Sequence, residues 1–195
     1  MPGPDMIRAF VGLGNPGKKY SETRHNIGFA VCRELSGRCP DIKESKAKKF
    51  LLGEGRLGGT TLLFVYPGTY MNESGSAVLS LMTSRRIALS EIIVVHDDIH
   101  IPFGMIRMKR GGGTGGHNGI SSVIRTVGPD FARLKIGVGS DFPDGRQSEY
   151  VLGKFKKKER ETLPLLLETA ADALLECASG GLDGAMEKYN NRNVL

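Results

Sequence analysis

The chain has 195 residues, a length that suits one domain with one sizeable core, and 39% apolar with 25% charged residues points to a soluble globular protein. No apolar run approaches the roughly 18 residues of a membrane span, "MPGPDMIRAF" lacks the pattern of a signal peptide, and the address expected is cytoplasmic. A net charge of +6, bunched at Lys43, Lys46, Lys48 and Lys49, at Arg107, Lys109 and Arg110, and at Lys154, Lys156, Lys157 and Lys158, fits a polyanionic partner as well as a solvated surface.

In chain order, residues 6–13 read as a buried first strand. Residues 26–38 place Ile27, Val31 and Leu35 at near-helical spacing, with Gly37 near the end. Two strands follow, 48–55 and 60–66, joined by a Gly-Gly turn in "LGG" at 57–59. A helix is expected over 74–86, with Ala77, Leu81 and Met82 sharing a face. Residues 91–99 form a buried strand that runs into acidic residues. Residues 103–110 alternate Met105, Arg107 and Lys109 with Ile106 and Met108. A helix over 119–128 turns Ile120, Val123, Ile124 and Val127 to the core, and 131–140 is another strand. The last pattern, 156–180, is a long helix that Pro164 is expected to kink or start. Strands alternate with helices and a hairpin-like pair interrupts them. The fold class expected is therefore α/β, with 1–195 as a single three-layer domain: a mixed twisted sheet flanked by helices, with a C-terminal helical region near a substrate groove. Cys32, Cys39 and Cys177 are odd in number and form no C-x-x-C, so buried free thiols are expected rather than a disulfide frame or a zinc site.

Gly12, Gly14 and Gly17 in "FVGLGNPGKKYSETRHNIG" spell the dinucleotide-binding G-x-G-x-x-G. That turn needs a helix to begin near the second glycine, facing a pyrophosphate. Pro16 pushes Asn15 out of the helical region, the following "KKYSETRHN" has no core stripe, and the acidic residue expected about 20 positions on is missing. "GGGTGG" (111–116) has the glycines of a phosphate loop, but His117 stands where the lysine belongs. "HDDIH" (96–100) resembles a metal box, yet on a strand residues four apart lie about 13 Å from each other, at about 3.3 Å per residue. No G-x-S-x-G nucleophile elbow is present.

What remains is a set of polar side chains beside glycines or at strand ends: Asn15, His25, Asn26, Asn72, Asp97, Asp98, His117 and Asn118. A lone Asn at such a place usually serves turn chemistry. Together the set suits hydrolysis of an activated ester without a metal or a covalent nucleophile. A histidine takes a proton from water, a carboxylate orients it, and amides donate to the developing oxyanion or hold the water.

The blocks "GLGNPGKKYSETRHNIG", "YPGTYMNESG", "VVHDDI" and "KRGGGTGGHNGI", continued by "FARLKIGVG" and "YVLGKF", resemble the signature blocks of the bacterial-type peptidyl-tRNA hydrolases, in order and over nearly the whole chain. The resemblance implies cleavage of the ester between a peptide and the 3′-terminal ribose of tRNA, with no cofactor and no metal. It implies His25 as the catalytic base and Asp97 as its supporting carboxylate. Asn15 matches the residue that separates N-blocked from free aminoacyl-tRNA. Asn72 and Asn118 match the amides that hold substrate and water. Tyr20 and Tyr70, with Met71 nearby, match the positions flanking the 3′-terminal nucleotide, and Lys109 and Lys135 match a basic pair that grips tRNA phosphate. At position 135 an Arg is common in the family; Lys keeps the charge and loses the bidentate fork. His96 and His117 are expected to be structural, hydrogen-bonding or packing near the site. The partner implied is peptidyl-tRNA, through its acceptor stem and CCA end, and a monomer is expected. An RNA-binding protein of the same fold without hydrolysis is the alternative, and the intact His25, Asp97 and Asn15 argue against it.

Overall fold

The computed structural model describes residues 6–57, 59–190 and 193–194; Gly58, in the middle of the expected Gly-Gly turn, lies outside them. In chain order the elements are β1 (Ala9–Gly12), α1 (Ile27–Ser36), β2 (Lys43–Lys46), β3 (Phe50–Leu57), β4 (Thr60–Pro67), α2 (Ser74–Arg85), β5 (Ile92–Asp98), β6 (Ile106–Arg110), α3 (Asn118–Val127), β7 (Ala132–Gly137), α4 (Gln147–Val151), α5 (Lys157–Ser179) and α6 (Gly181–Tyr189). The strands form one mixed sheet in the order β2-β3-β4-β1-β5-β7-β6. Its centre, β4-β1-β5-β7, is parallel, and antiparallel pairs close both flanks.

Alternation along the strands sorts the core into two layers. Phe10, Phe64, Ile93, Val95, Leu134 and Ile136 pack on α1, α5 and α6. Ala9, Val11, Leu63, Val65, Ile92 and Val94 pack on α2 and α3. Both faces are therefore covered, which is why the central strands are apolar throughout rather than alternating. Each large side chain so buried contributes roughly 1.5–3 kcal/mol, and the rigid centre of the sheet carries the ends where the site is built.

The glycines of the first block serve close packing. A Cβ on Gly12 would lie 2.4 Å from the carbonyl oxygen of Gly28, and one on Gly28 would lie 2.3 Å from that of Val95. The glycine crossing lets α1 lie against the ends of β1 and β5. The helix begins at Ile27, after a 3-10 turn at Arg24–Asn26, as the polar interval after Pro16 requires.

Of the two places expected for Pro164, it does not start the last helix but lies inside it, with α5 running from Lys157 to Ser179. Two features depart from the sequence reading. The cluster at Lys43 and Lys46 belongs to an exposed edge strand, β2. Two short helices, α4 and α6, were not anticipated. The other edge, β6, is covered from the C-terminal side. The Asn190 side chain accepts from the Met108 N–H (2.6 Å) and donates to the Met108 carbonyl (2.9 Å), as a neighbouring strand would. Cys32, Cys39 and Cys177 are free and buried, as expected.

Candidate active site

The carboxyl ends of β1, β4 and β5 and the start of α3 converge on one open groove, where ligands sit in open α/β sheets. Asn15, His25, Tyr70, Met71, Asn72 and Asn118 line it on one side, and Ser148, Val151 and Leu152 of the α4 segment on the other; its volume is about 320 Å³. A smaller cavity of about 50 Å³ adjoins it at His25, His96, Asp97, Thr114 and His117.

His25 is placed by the 3-10 turn that precedes α1, and Asp97 by the carboxyl end of β5. His25 Nδ1 lies 2.8 Å from Asp97 Oδ1, and both residues are buried. His117 Nε2 lies 3.0 Å from the same oxygen. His117 is also the N-cap of α3, its Nδ1 accepting the N–H groups of Gly119 (3.1 Å) and Ile120 (3.2 Å). That cap assigns the tautomer. Nδ1 holds a lone pair, so the proton is on Nε2 and is donated to Asp97. Asp97, acceptor only, takes the second proton from His25 Nδ1, which leaves a lone pair on His25 Nε2. Among the described residues that nitrogen has no hydrogen-bond partner. Burial works against the Asp97 charge, but the His117 and His25 imidazoles outweigh it and hold the carboxyl well below the usual range.

Burial, reinforced by neighbouring His117, pushes His96 down to about 3, so its imidazole is neutral. Its Nδ1–H donates to the Asp97 carbonyl at 2.7 Å, and its Nε2 is buried without a partner. His96 and His117 meet edge to face at 4.9 Å, so both pack beside the carboxylate as expected.

A metal-ligand set does exist here, drawing Asp97 from "HDDIH" but neither of that stretch's histidines. His25, Asp97 and His117 each offer one atom, all within 4.8 Å of one another. Their hydrogen bonding opposes coordination. With His117 Nδ1 already accepting two backbone N–H groups, a metal on Nε2 would require an imidazolate.

Asn15 is held from three directions. Its N–H donates to Asn26 Oδ1 (2.9 Å), its carbonyl accepts from Asn26 Nδ2 (2.9 Å), and its Oδ1 accepts the Met71 N–H (2.8 Å). The amide orientation follows, with the Nδ2 donors of Asn15 left for the groove. Asn26, in the polar set but given no role in the resemblance, is thus the clamp on Asn15. Met71 lines the groove while its side chain is buried against α3; a Cβ on Gly119 would lie 2.5 Å from its sulfur. Asn72 is exposed, and Tyr70, 57% exposed, stands at the rim.

Three expected residues lie apart from the groove lining. The Tyr20 ring is covered by Lys19 Nζ at 4.8 Å. Lys109 lies over the Gly112 backbone. Lys135 forms an ion pair with Asp98, which with the His100 N–H outweighs burial and lowers the Asp98 carboxyl. Lys109 and Lys135 share the face of β6–β7 that also carries Arg107, directly opposite Lys135. His117, Asn26 and the α4 wall are what sequence reasoning gave no site role. For His117 a signal was present: it precedes a helical stripe at the N-cap position.

Residues 9–194 match the peptidyl-tRNA hydrolase family model. The chain is 41% identical over 190 residues to the peptidyl-tRNA hydrolase of Syntrophotalea carbinolica, covering 97% of this chain and 100% of that protein. It is 43% identical over 185 residues to that of Syntrophomonas wolfei, covering 94% and 100%. Its fold is similar to the crystal structure of peptidyl-tRNA hydrolase from Acinetobacter baumannii, with a TM-score of 0.90 at 34% identity over 97% of each chain. With a family model matched over residues 9–194 and relatives aligned over nearly their whole length, this chain belongs to the peptidyl-tRNA hydrolase family.

Proposed function

We propose that the protein hydrolyses the ester between a peptide, or an N-blocked aminoacyl group, and the 3′-terminal ribose of tRNA. The observation that carries the mechanism is the shared Asp97 oxygen: it fixes His25 with Nδ1–H inward and leaves Nε2 as the free base at the groove. Water placed between Nε2 and the ester carbonyl gives its proton to His25 as its oxygen bonds to the carbonyl carbon. The resulting imidazolium is stabilised by Asp97. Asn118 Nδ2 donates to the attacking water or to the carbonyl oxygen as it becomes anionic. Collapse of the tetrahedral intermediate breaks the bond to the ribose oxygen, which takes the proton back from His25. The products are a peptide carboxylate and free tRNA.

In this reading Asn15, through the Nδ2 donors its clamp leaves unused, meets the blocked amino group and separates it from a free ammonium. Asn72 and Tyr70 at the rim hold the end of the acceptor arm, with Met71 beneath them. Tyr20 flanks the terminal nucleotide from the other side. Lys109 and Lys135 take tRNA phosphate, Lys135 by sharing its charge between phosphate and Asp98. The contacts are to backbone, which suits acceptance of many tRNA sequences. The enzyme acts without a metal or cofactor, as a monomer, in the cytoplasm. Release of N-acetyl-amino acid from charged tRNA by purified, chelator-treated protein is the test. Turnover that survives His25→Ala would refute the mechanism, and tight tRNA binding without cleavage would favour the RNA-binding alternative.

A further inference from the structure

Arg24, the neighbour of His25, is 3% exposed. Nη1 donates to the Lys154 carbonyl at 2.5 Å and Nη2 to Glu159 Oε2 at 2.7 Å. The guanidinium lies 4.2 Å from the Tyr150 ring centroid and 5.1 Å from that of Phe155. The Arg24 N–H donates to the Gly153 carbonyl at 3.0 Å, and Thr23 pairs with Lys154 as an antiparallel bridge. Glu159 is held in turn by the Lys156 N–H, the cap of α5. Nε finds no acceptor, so the anchoring comes from the fork and the rings.

Ser148, Val151 and Leu152 face the groove, at the i, i+3, i+4 spacing of one helical face. Tyr150, Gly153, Lys154 and Phe155, on the other side of the same segment, meet Arg24. One wall of the groove is thus bolted to the turn that carries the base. A buried charge of this kind adds little stability for its desolvation, and registry is its best-attested use. Only Arg supplies a planar fork that can stack on rings and bind a carbonyl and a carboxylate together.

We propose that Arg24 is a positioning residue: it fixes His25 relative to the α4 wall, so that base and substrate wall move as one body. The inference rests on the hydrolase reading for its kinetic effect. Tighter control of the base acts on kcat, whereas KM is dominated by phosphate contacts that do not pass through Arg24.

The experiment compares Arg24→Lys, Arg24→Met and Arg38→Met with wild type on N-acetyl-aminoacyl-tRNA, together with Tm and the ¹⁵N ring signals of His25. Arg38, just beyond the end of α1, is tied to α5 elsewhere, through Asp172 and the Glu168 carbonyl, and serves as the control for loosened helix packing. Both Arg24 variants should lose at least tenfold in kcat with KM within threefold and a displaced His25 ring signal, while Arg38→Met keeps kcat and the signal. If Arg24→Met does not fold, Arg24→Lys and Phe155→Leu, which removes one ring of the stack, carry the comparison with the same expectation. Full activity in Arg24→Lys would overturn the clamp, as would an equal kcat loss in Arg38→Met. If wild type cleaves nothing, the hydrolase reading fails by itself. The ring signals then decide the clamp, and an unmoved His25 in Arg24→Lys overturns it.

Discussion

His117 donates its Nε2–H to Asp97 Oδ1 at 3.0 Å while its other nitrogen caps α3. One side chain thus ties the start of a helix to the carboxylate that holds His25. His117→Asn separates the two duties, because Asn is a good cap but is too short to keep the Asp97 contact. The cap should survive, but loss of the bond to the buried carboxylate should cost about 1.5–3 kcal/mol of stability, and turnover should fall about tenfold or more. Urea unfolding beside steady-state kinetics checks both halves.

Asp97→Asn keeps the shape but removes the charge that, in the proposed mechanism, stabilises the imidazolium, and it lets the other tautomer of His25 form. A loss of about 10²–10⁴-fold in kcat is expected, the span of general-base catalysis. A rate within threefold of wild type would remove Asp97 from its assigned role.

The buried His96 makes stability depend on pH. Its imidazole takes up a proton near 6.5 in the unfolded chain but only at about 3 in the folded one. The unfolded state therefore binds more protons in this window, and folding stability is full above about 6.5 and declines as pH falls toward 3. Asp97 has the same sign, since its lowered carboxyl contributes stability above about 4 that is lost at lower pH. His96→Gln should flatten the slope between pH 6.5 and 4.5, as measured by chemical unfolding at intervals of half a pH unit.

Asn26→Ala leaves the Asn15 N–H and carbonyl without partners in a buried place, at about 1–3 kcal/mol. Selectivity should suffer more than rate. The ratio of N-acetyl-aminoacyl-tRNA to aminoacyl-tRNA hydrolysis should fall severalfold in parallel assays.

Lys109→Gln should raise KM and leave kcat unchanged. If Lys109 neutralises one phosphate, the slope of log binding against log salt should decrease by about 0.7–0.9. A salt titration of tRNA binding measures it.

Most of the sheet and its helices were legible because hydrophobic period and glycine placement agree with the fold. The helix start at Ile27 followed from Pro16 and the polar interval after it. Less visible were elements set by tertiary contacts. β2 carries no buried residue and owes its strand form to pairing with β3. α4 is too short to show a period. Pro164 lies inside α5, a place that local propensity disfavours. At the site, residue identities came from recognisable blocks, but their connections did not. That one Asp97 oxygen serves two imidazoles, and that Asn26 brackets Asn15 from eleven positions away, depend on how β1, β5 and α1 are packed.

The amide of Asn190 on β6 also bears on how the protein behaves in a crowd of its own copies. A bare edge strand is a template for addition of another strand. At β2 the exposed Lys43, Glu44 and Lys46 discourage such growth by charge, but β6 meets it by occupying the Met108 N–H and carbonyl from within the chain. Asn190→Ala would reopen those two positions, so its consequence is a greater tendency to aggregate during expression and storage, in a protein whose chemistry is otherwise intact.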